Sequence, residues 1–188
     1  ESDDSFEHFR MERVSFRAAY GSEWVGAWLF LPKNSAPPFQ TVIYYPTSAA
    51  NVNASSRGFE TDRQLSFLMR SGRALMIPVY KGTFERFEPA PIGPNATRRL
   101  QVERSQDLRR AVDYLATRHD IDSSRLVFYG VSMGCREGTV AVALEPRFRT
   151  AILAHCGVPT VRRAEGTDPL DFAPRIRIPV LLLEGRDD

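Results

Sequence analysis

The sequence is poor in several features on which whole classes of protein depend. It holds two cysteines, three histidines and only two lysines, Lys33 and Lys81, in 188 residues. No apolar run reaches the roughly 18–20 residues that cross a bilayer, so no transmembrane helix is predicted. The acidic first residues lack the apolar stretch of a secretory signal. We therefore expect no membrane partner and no signal peptide, and the cytoplasm is the favoured compartment.

An excess of charge of one sign is also missing. The 25 basic residues nearly balance the 23 acidic ones, for a net charge of +2, whereas a nucleic-acid-binding domain usually carries a basic face. One stretch is rich in arginine, and its helical spacing predicts a solvent-exposed face made of Arg98, Arg99, Arg104, Arg109 and Arg110. We expect no nucleic-acid partner, and a phosphate site at these arginines is the less favoured alternative.

Cysteine is too scarce for a disulfide scaffold. The two residues, Cys135 and Cys156, do not lie at metal-ligand spacing with a histidine. Buried free thiols are the preferred interpretation, because reduced cysteine packs like a small apolar residue. No metal ion and no cofactor are predicted.

What the chain does contain is a regular alternation of apolar strands and helices. Apolar residues make up 43% of the chain, which is ordinary for one folded domain. A hairpin is predicted over 13–31 with its turn at Gly21-Ser22. Apolar strands are predicted at 41–45, 74–80, 125–129, 150–154 and 179–183, with helices near 65–71, 108–115 and 140–144. This order predicts one α/β domain over 1–188, with a mostly parallel sheet, helices on both faces and an antiparallel hairpin at one edge.

One motif within this pattern carries chemistry. The run from Gly130 to Gly134 reads G-x-S-x-G and lies between a predicted strand and an apolar helix, as a nucleophile elbow requires. Ser132 is the predicted nucleophile, and the two glycines allow the strand and helix to approach closely. An ordinary Gly-Ser turn is the alternative.

A serine nucleophile needs a base, an acid that orients the base, and two N–H donors for the oxyanion. In this type of fold the acid follows a later strand, which indicates Asp188, with Asp187 or a merely solvated acidic end as alternatives. The predicted oxyanion donors are the N–H of Met133 and that of Ser48. The residue on either side of Ser48 in the loop 46–50 is the alternative donor.

None of the three histidines fits the base well. His8 precedes the first strand, and His119 lies at a helix end on the far side of the sheet. His155 ends a strand at the correct edge, but it precedes the acid, which is the wrong chain order, so it is interpreted first as a pocket wall. We expect the catalytic histidine after residue 188, and a chain that lacks it should have very low activity.

With these elements placed, the sequence resembles the α/β-hydrolase superfamily, and within it bacterial dipeptidyl-aminopeptidase/acylaminoacyl-peptidase-like serine hydrolases. The segments that carry the resemblance are Val14–Phe16, Ala19–Gly21, Phe30–Lys33, Ser71–Ala74, Pro78–Arg86, Tyr129–Gly134, Ala143–Phe148 and Asp168–Pro174. The resemblance implies Ser132 as nucleophile, Asp188 as acid and an oxyanion loop at 46–49. Met133 departs from the usual aromatic or small residue, and the closing strand, histidine loop and final helix have no counterpart up to residue 188.

Three functions are compatible with these features. The first is a serine hydrolase of small carboxylic esters that acts through an acyl-enzyme, with Tyr80, Phe84, Phe87 and Ile92 as candidate walls of an acyl pocket or, equally, as packing residues. The second is an acylaminoacyl- or dipeptidyl-type peptidase. The third is a non-catalytic module with the same fold.

Overall fold

The computed structural model describes residues 1–59, 64–89, 92–93, 95–157 and 166–186. Its centre is one eight-stranded sheet in the order β1-β2-β3-β5-β4-β6-β7-β8. The strands are β1 Ser2–Asp3, β2 Phe9–Arg17, β3 Trp24–Pro32, β4 Phe39–Tyr45, β5 Ala74–Pro78, β6 Ile121–Val131, β7 Phe148–Ala154 and β8 Val180–Leu183.

The predicted hairpin forms the antiparallel side of this sheet. β2 pairs with β3 over their whole length, from Phe9 opposite Pro32 to Arg17 opposite Trp24. The turn contains Gly21 at φ +54°, a backbone conformation that glycine adopts without steric cost. The short β1, which the sequence pattern does not predict, extends the sheet along β2.

The other strands are parallel to one another and confirm the predicted α/β architecture. β4 lies between β5 and β6, and β7 and β8 follow on the far side of β6. Residues in β4 and β5 such as Ile43, Tyr44 and Leu75 are fully buried, because helices cover both faces of the sheet. The carboxyl ends of these strands meet at one edge, where the site forms.

The helices are α1 Ser66–Arg70, α2 Ala96–Ala116, α3 Met133–Leu144 and α4 Pro169–Phe172. Leu108, Ala111, Val112 and Leu115 face the core from α2, as their spacing predicts. α3 begins earlier than its uniformly apolar segment suggests, because the elbow itself starts it. No described helix combines the length and apolarity needed to cross a membrane.

β8 differs from the expectation of a sheet covered on both faces. Its four residues Val180–Leu183 are all exposed, although their composition predicts a buried strand. β8 is an edge strand of the sheet, so its apolar residues are buried only where other segments pack against its faces. In the described residues that packing is slight.

Candidate active site

Ser132 occupies a strained turn at the carboxyl edge of the sheet. It follows β6 directly and precedes α3, with φ 55° and ψ −109°. A non-glycine residue at positive φ is uncommon and costs free energy, and such residues cluster at functional sites. The Ser132 N–H donates to the carbonyl of Ala154 at the end of β7. The turn is therefore held by the neighbouring strand, in the context that the elbow motif predicts.

The glycines around Ser132 are required by close packing. A Cβ on Gly134 would come within 3.0 Å of the backbone of Tyr45 and Pro46, and a Cβ on Gly130 would meet the backbone of Gly134 equally closely. A Cβ on Gly138 would clash with the buried ring of Phe128. These contacts confirm that the strand and helix approach closely because the glycines lack side chains.

The loop after β4 lies against the elbow, because Gly134 packs on the backbone of Tyr45 and Pro46. Ser48 begins a short 3₁₀ helix that runs to Asn51. Met133 is the first residue of α3, and the first N–H groups of a helix have no acceptor within it. The structure thus brings both predicted donor segments to one edge, while the donor roles of Met133 and Ser48 stay predictions.

The predicted acid is not part of the described structure. Asp188 and its alternative Asp187 both lie outside the described residues. The strand that precedes them, β8, does end at the same edge as β6 and β7, where the acid is expected. The role of Asp188 therefore stays a prediction.

The three histidines lie where the sequence pattern predicts. His8 directly precedes β2, and His119 precedes β6 at the edge opposite Ser132. His155 follows β7 at the site edge, with φ 51°, and its N–H donates to the carbonyl of Leu183. Val131, the residue before Ser132, pairs with Ala154. His155, the residue after Ala154, therefore lies next to the elbow at this edge of the sheet.

The interpretation of the cysteines as free thiols is wrong. Cys135 and Cys156 form a disulfide with a Cα–Cα distance of 5.1 Å. They are 21 residues apart in the sequence, but the β6–α3–β7 connection places the first turn of α3 over the end of β7. The bond therefore ties the elbow helix to the segment after His155.

A cavity of about 310 Å³ lies beside Met133. Apolar atoms come from Met133, Phe87 and Leu100, and charged groups come from several residues of α2, α3 and the loop after β5. Phe87 is the only one of the four predicted wall residues among the described lining residues. Tyr80 stacks on Tyr45 in the core, Phe84 is buried, and Ile92 is fully exposed.

Arg104 corrects the predicted solvent-exposed arginine face. Arg98, Arg99 and Arg109 are exposed, but Arg104 is only 4% exposed and lines the cavity. Its position, four residues before Leu108, places it on the buried side of α2. The helical spacing of the apolar residues of α2 therefore predicts that Arg104 is buried, although the abundance of arginines in this segment suggests an exposed face.

Arg104 is held by a dense set of hydrogen bonds. Its Nη1 donates to Glu137 Oε1 at 2.8 Å, its Nη2 to Asn51 Oδ1 at 3.0 Å, and its Nε to the carbonyl of Lys81 at 2.7 Å. Tyr45 Oη donates to Glu137 Oε2. Burial, and then the Glu137 carboxylate, raise the pKa of Tyr45 well above its usual value, so this hydroxyl keeps its proton.

A second group of buried charges holds the loop after β5. Arg86 donates to Asp107 Oδ2 at 2.6 Å and to Glu23 Oε2 at 2.9 Å. Asp107 is fully buried and also accepts from Tyr20 Oη and the Lys81 N–H. Burial raises the pKa of Asp107, and Arg86 opposes that rise. These contacts fasten the loop that forms one wall of the cavity.

A larger, apolar cavity of about 580 Å³ lies on the other side of α3, toward β8. Its walls include Leu153, Ile176, Ile178, Val180 and Leu182. Within the described part of the chain, no cluster of three or more metal-ligating side chains occurs near either cavity or elsewhere.

The arrangement has clear structural relatives. Acetyl xylan esterase from Paenibacillus sp. R4 aligns with a TM-score of 0.71 and 18% identity, over 97% of this chain and 71% of the esterase. A cold-adapted esterase from an Arctic intertidal metagenomic library gives 0.70 and 20%, over 98% and 75%. Pyrococcus horikoshii acylaminoacyl peptidase gives 0.69 and 15%, over 98% of this chain and 33% of the peptidase.

No protein-family model and no curated sequence matches the chain. At 15–20% identity the structural similarity shows the fold, and sheet order, elbow and relatives agree on it. The chain therefore has the α/β-hydrolase fold, with a strained serine at the position of the nucleophile elbow.

Proposed function

We propose that the protein is a serine hydrolase that cleaves small carboxylic esters through an acyl-enzyme intermediate. The observation that carries this proposal is the strained backbone of Ser132 at the junction of β6 and α3. Such a turn presents the serine hydroxyl at the top of the sheet. Backbone strain of this kind clusters at functional sites, and here it coincides with the G-x-S-x-G pattern of a nucleophile elbow.

In the proposed reaction, Ser132 Oγ attacks the ester carbonyl carbon while a histidine base takes the hydroxyl proton. The carbonyl oxygen gains negative charge and is stabilised by the N–H groups of Met133 and Ser48. Collapse of this intermediate returns the proton to the leaving alcohol. Water then releases the acid from the serine. The proposed base is a histidine that Asp188 would orient.

The cavity beside Met133 supports a small substrate. About 310 Å³ lies at the lower end of the range for small-molecule pockets, with space for a short acyl or alcohol group rather than an extended peptide. The acetyl xylan esterase and the cold-adapted esterase, most of whose length this chain covers, are esterases. We accordingly rank ester cleavage above peptide cleavage.

The test uses the protein in its full natural length with p-nitrophenyl acetate. We expect Ser132→Ala to reduce kcat by about 10³-fold or more, since nucleophile removal leaves only the background catalysis of the site. Ser124→Ala is the matched control, because Ser124 lies on the same strand at the opposite edge and should leave kcat unchanged. A fluorophosphonate probe should label the wild type and the control, but not S132A.

Two results would redirect the proposal. Faster turnover of acyl-peptide amides than of the ester would assign the protein to the acylaminoacyl- or dipeptidyl-type peptidases. Failure of the fluorophosphonate to label Ser132 would leave a non-catalytic module with the hydrolase fold.

A further inference from the structure

A closed triangle of side chains joins the two segments that carry the proposed oxyanion donors. Asn51 is the last residue of the 3₁₀ helix that begins at Ser48, and Met133 begins α3. Asn51 Nδ2 donates to Met133 Sδ at 3.3 Å. Arg104 reaches both partners, because its Nη2 donates to Asn51 Oδ1 at 3.0 Å and its Nη1 contacts Met133 Sδ at 3.5 Å.

The charge in this triangle is compensated, which allows it to stay buried. Glu137 accepts from Arg104 through both carboxylate oxygens, at 2.8 and 3.1 Å. Burying one arginine without such a partner would cost several kcal/mol. The planar guanidinium holds its donors in one rigid plane and can bond several acceptors at fixed angles, whereas the donors of a lysine ammonium rotate on a flexible stem. The residue is therefore suited to fixing geometry rather than to adding stability alone.

We propose that Arg104 is a positioning residue, which together with Asn51 fixes the Ser48 and Met133 segments at the spacing required to bind the oxyanion. This inference rests on the proposed hydrolase function. In this role Arg104 acts through its contacts with Asn51 and Met133. Because it also lines the cavity of about 310 Å³, the response of KM separates positioning from direct contact with the substrate. Preorganised donors stabilise the transition state because they need not reorient during the reaction. Loosening one segment should therefore lower kcat and leave ground-state binding intact.

The first test is Asn51→Ala in the full-length protein. This variant removes the link to Met133 and keeps the Arg104–Glu137 ion pair. Removal of a whole oxyanion donor costs about 10²–10³-fold, so displacement of a donor should lower kcat on p-nitrophenyl acetate by roughly 10–100-fold. KM should stay within about twofold, because the ground-state ester makes little use of the oxyanion site.

Arg104 itself is tested by two variants. Arg104→Lys keeps the charge opposite Glu137 but cannot hold all partners, and we expect it to fall between the wild type and N51A in kcat. Arg104→Met alone would leave the buried Glu137 carboxylate without its cationic partner, which is destabilising, so it is made together with Glu137→Gln. The matched control is Arg109→Met, an exposed arginine on the same helix, which should leave kcat unchanged.

A tetrahedral boronate inhibitor separates positioning from general loss of structure. Its oxygen occupies the oxyanion site, so the inhibition constant should weaken in N51A by the same factor as kcat/KM, while the thermal midpoint stays near that of the wild type. Equal kcat in N51A, R104K and the wild type would overturn the inference. So would a rise in KM at constant kcat, which would make these residues substrate contacts. An inactive, unlabelled wild type would instead overturn the proposed function.

Discussion

Helix α3 separates two cavities that differ in chemistry. On the side facing α2, the charged cavity is bordered by Arg104 and Glu137, which are tied to each other and to the donor segments. On the side facing β8, the apolar cavity has almost twice the volume, about 580 against 310 Å³. Its wall residue Leu182 is 59% exposed. On the α2 side, hydrogen bonds between charged side chains fix the position of α3 relative to the neighbouring loop and helix. On the β8 side, α3 is connected to the rest of the domain by the disulfide and by apolar contacts around the larger cavity.

The largest expected effect lies on the charged side. Arg86→Met removes the cationic partner of the fully buried Asp107 and should lower the free energy of unfolding by about 3–5 kcal/mol, since the buried charge is no longer compensated. Urea unfolding followed by circular dichroism measures this. Arg109→Met, on the exposed face of α2, is the control. Equal unfolding midpoints for R86M and R109M would show that the buried charges do not stabilise the fold.

The disulfide should give the next largest effect, on the apolar side. Replacing both Cys135 and Cys156 by alanine releases a loop closed over 21 residues and should cost about 3 kcal/mol by the chain-entropy estimate. A reducing agent should lower the unfolding midpoint of the wild type and leave that of the double variant unchanged. Alkylation of both cysteines in the unreduced native protein would contradict the bond.

The smallest effect tests the exposed strand. Leu182→Ala in β8 should change the free energy of unfolding of the 188-residue chain by less than about 1 kcal/mol, because surface changes rarely exceed this. The matched variant Leu75→Ala, in the buried strand β5, should cost about 2–5 kcal/mol. Similar losses in the two variants would mean that β8 is packed as firmly as the centre of the sheet.

The sequence pattern predicts the α/β architecture because its signals are local. Apolar runs of four to eight residues mark the parallel strands, and the spacing of Leu108, Ala111 and Leu115 marks the buried side of α2. The elbow can be predicted for the same reason, since Ser132 lies between a strand and a helix, and the glycines around it occupy positions where a Cβ would clash with neighbouring atoms. These features depend on residues close together in the chain.

Other features depend on contacts between distant residues and were missed or misjudged. The disulfide joins residues brought together only by the β6–α3–β7 crossover. The helical spacing places Arg104 on the buried side of α2, but the partners that compensate its charge, Asn51 and Glu137, belong to a loop and another helix. The exposure of β8 likewise depends on what packs beside it, and its composition does not carry that information.

The sequence by itself therefore determined the order of strands and helices, the serine at the elbow and the glycines that permit close packing, since each is encoded within a short stretch of chain. Only the tertiary structure decided which partners compensate the buried charges, that the two cysteines join, and that Arg104 and Asn51 link the two proposed oxyanion segments. The physical reason is that burial and charge compensation arise when separate elements pack, and no local pattern records which partners will meet.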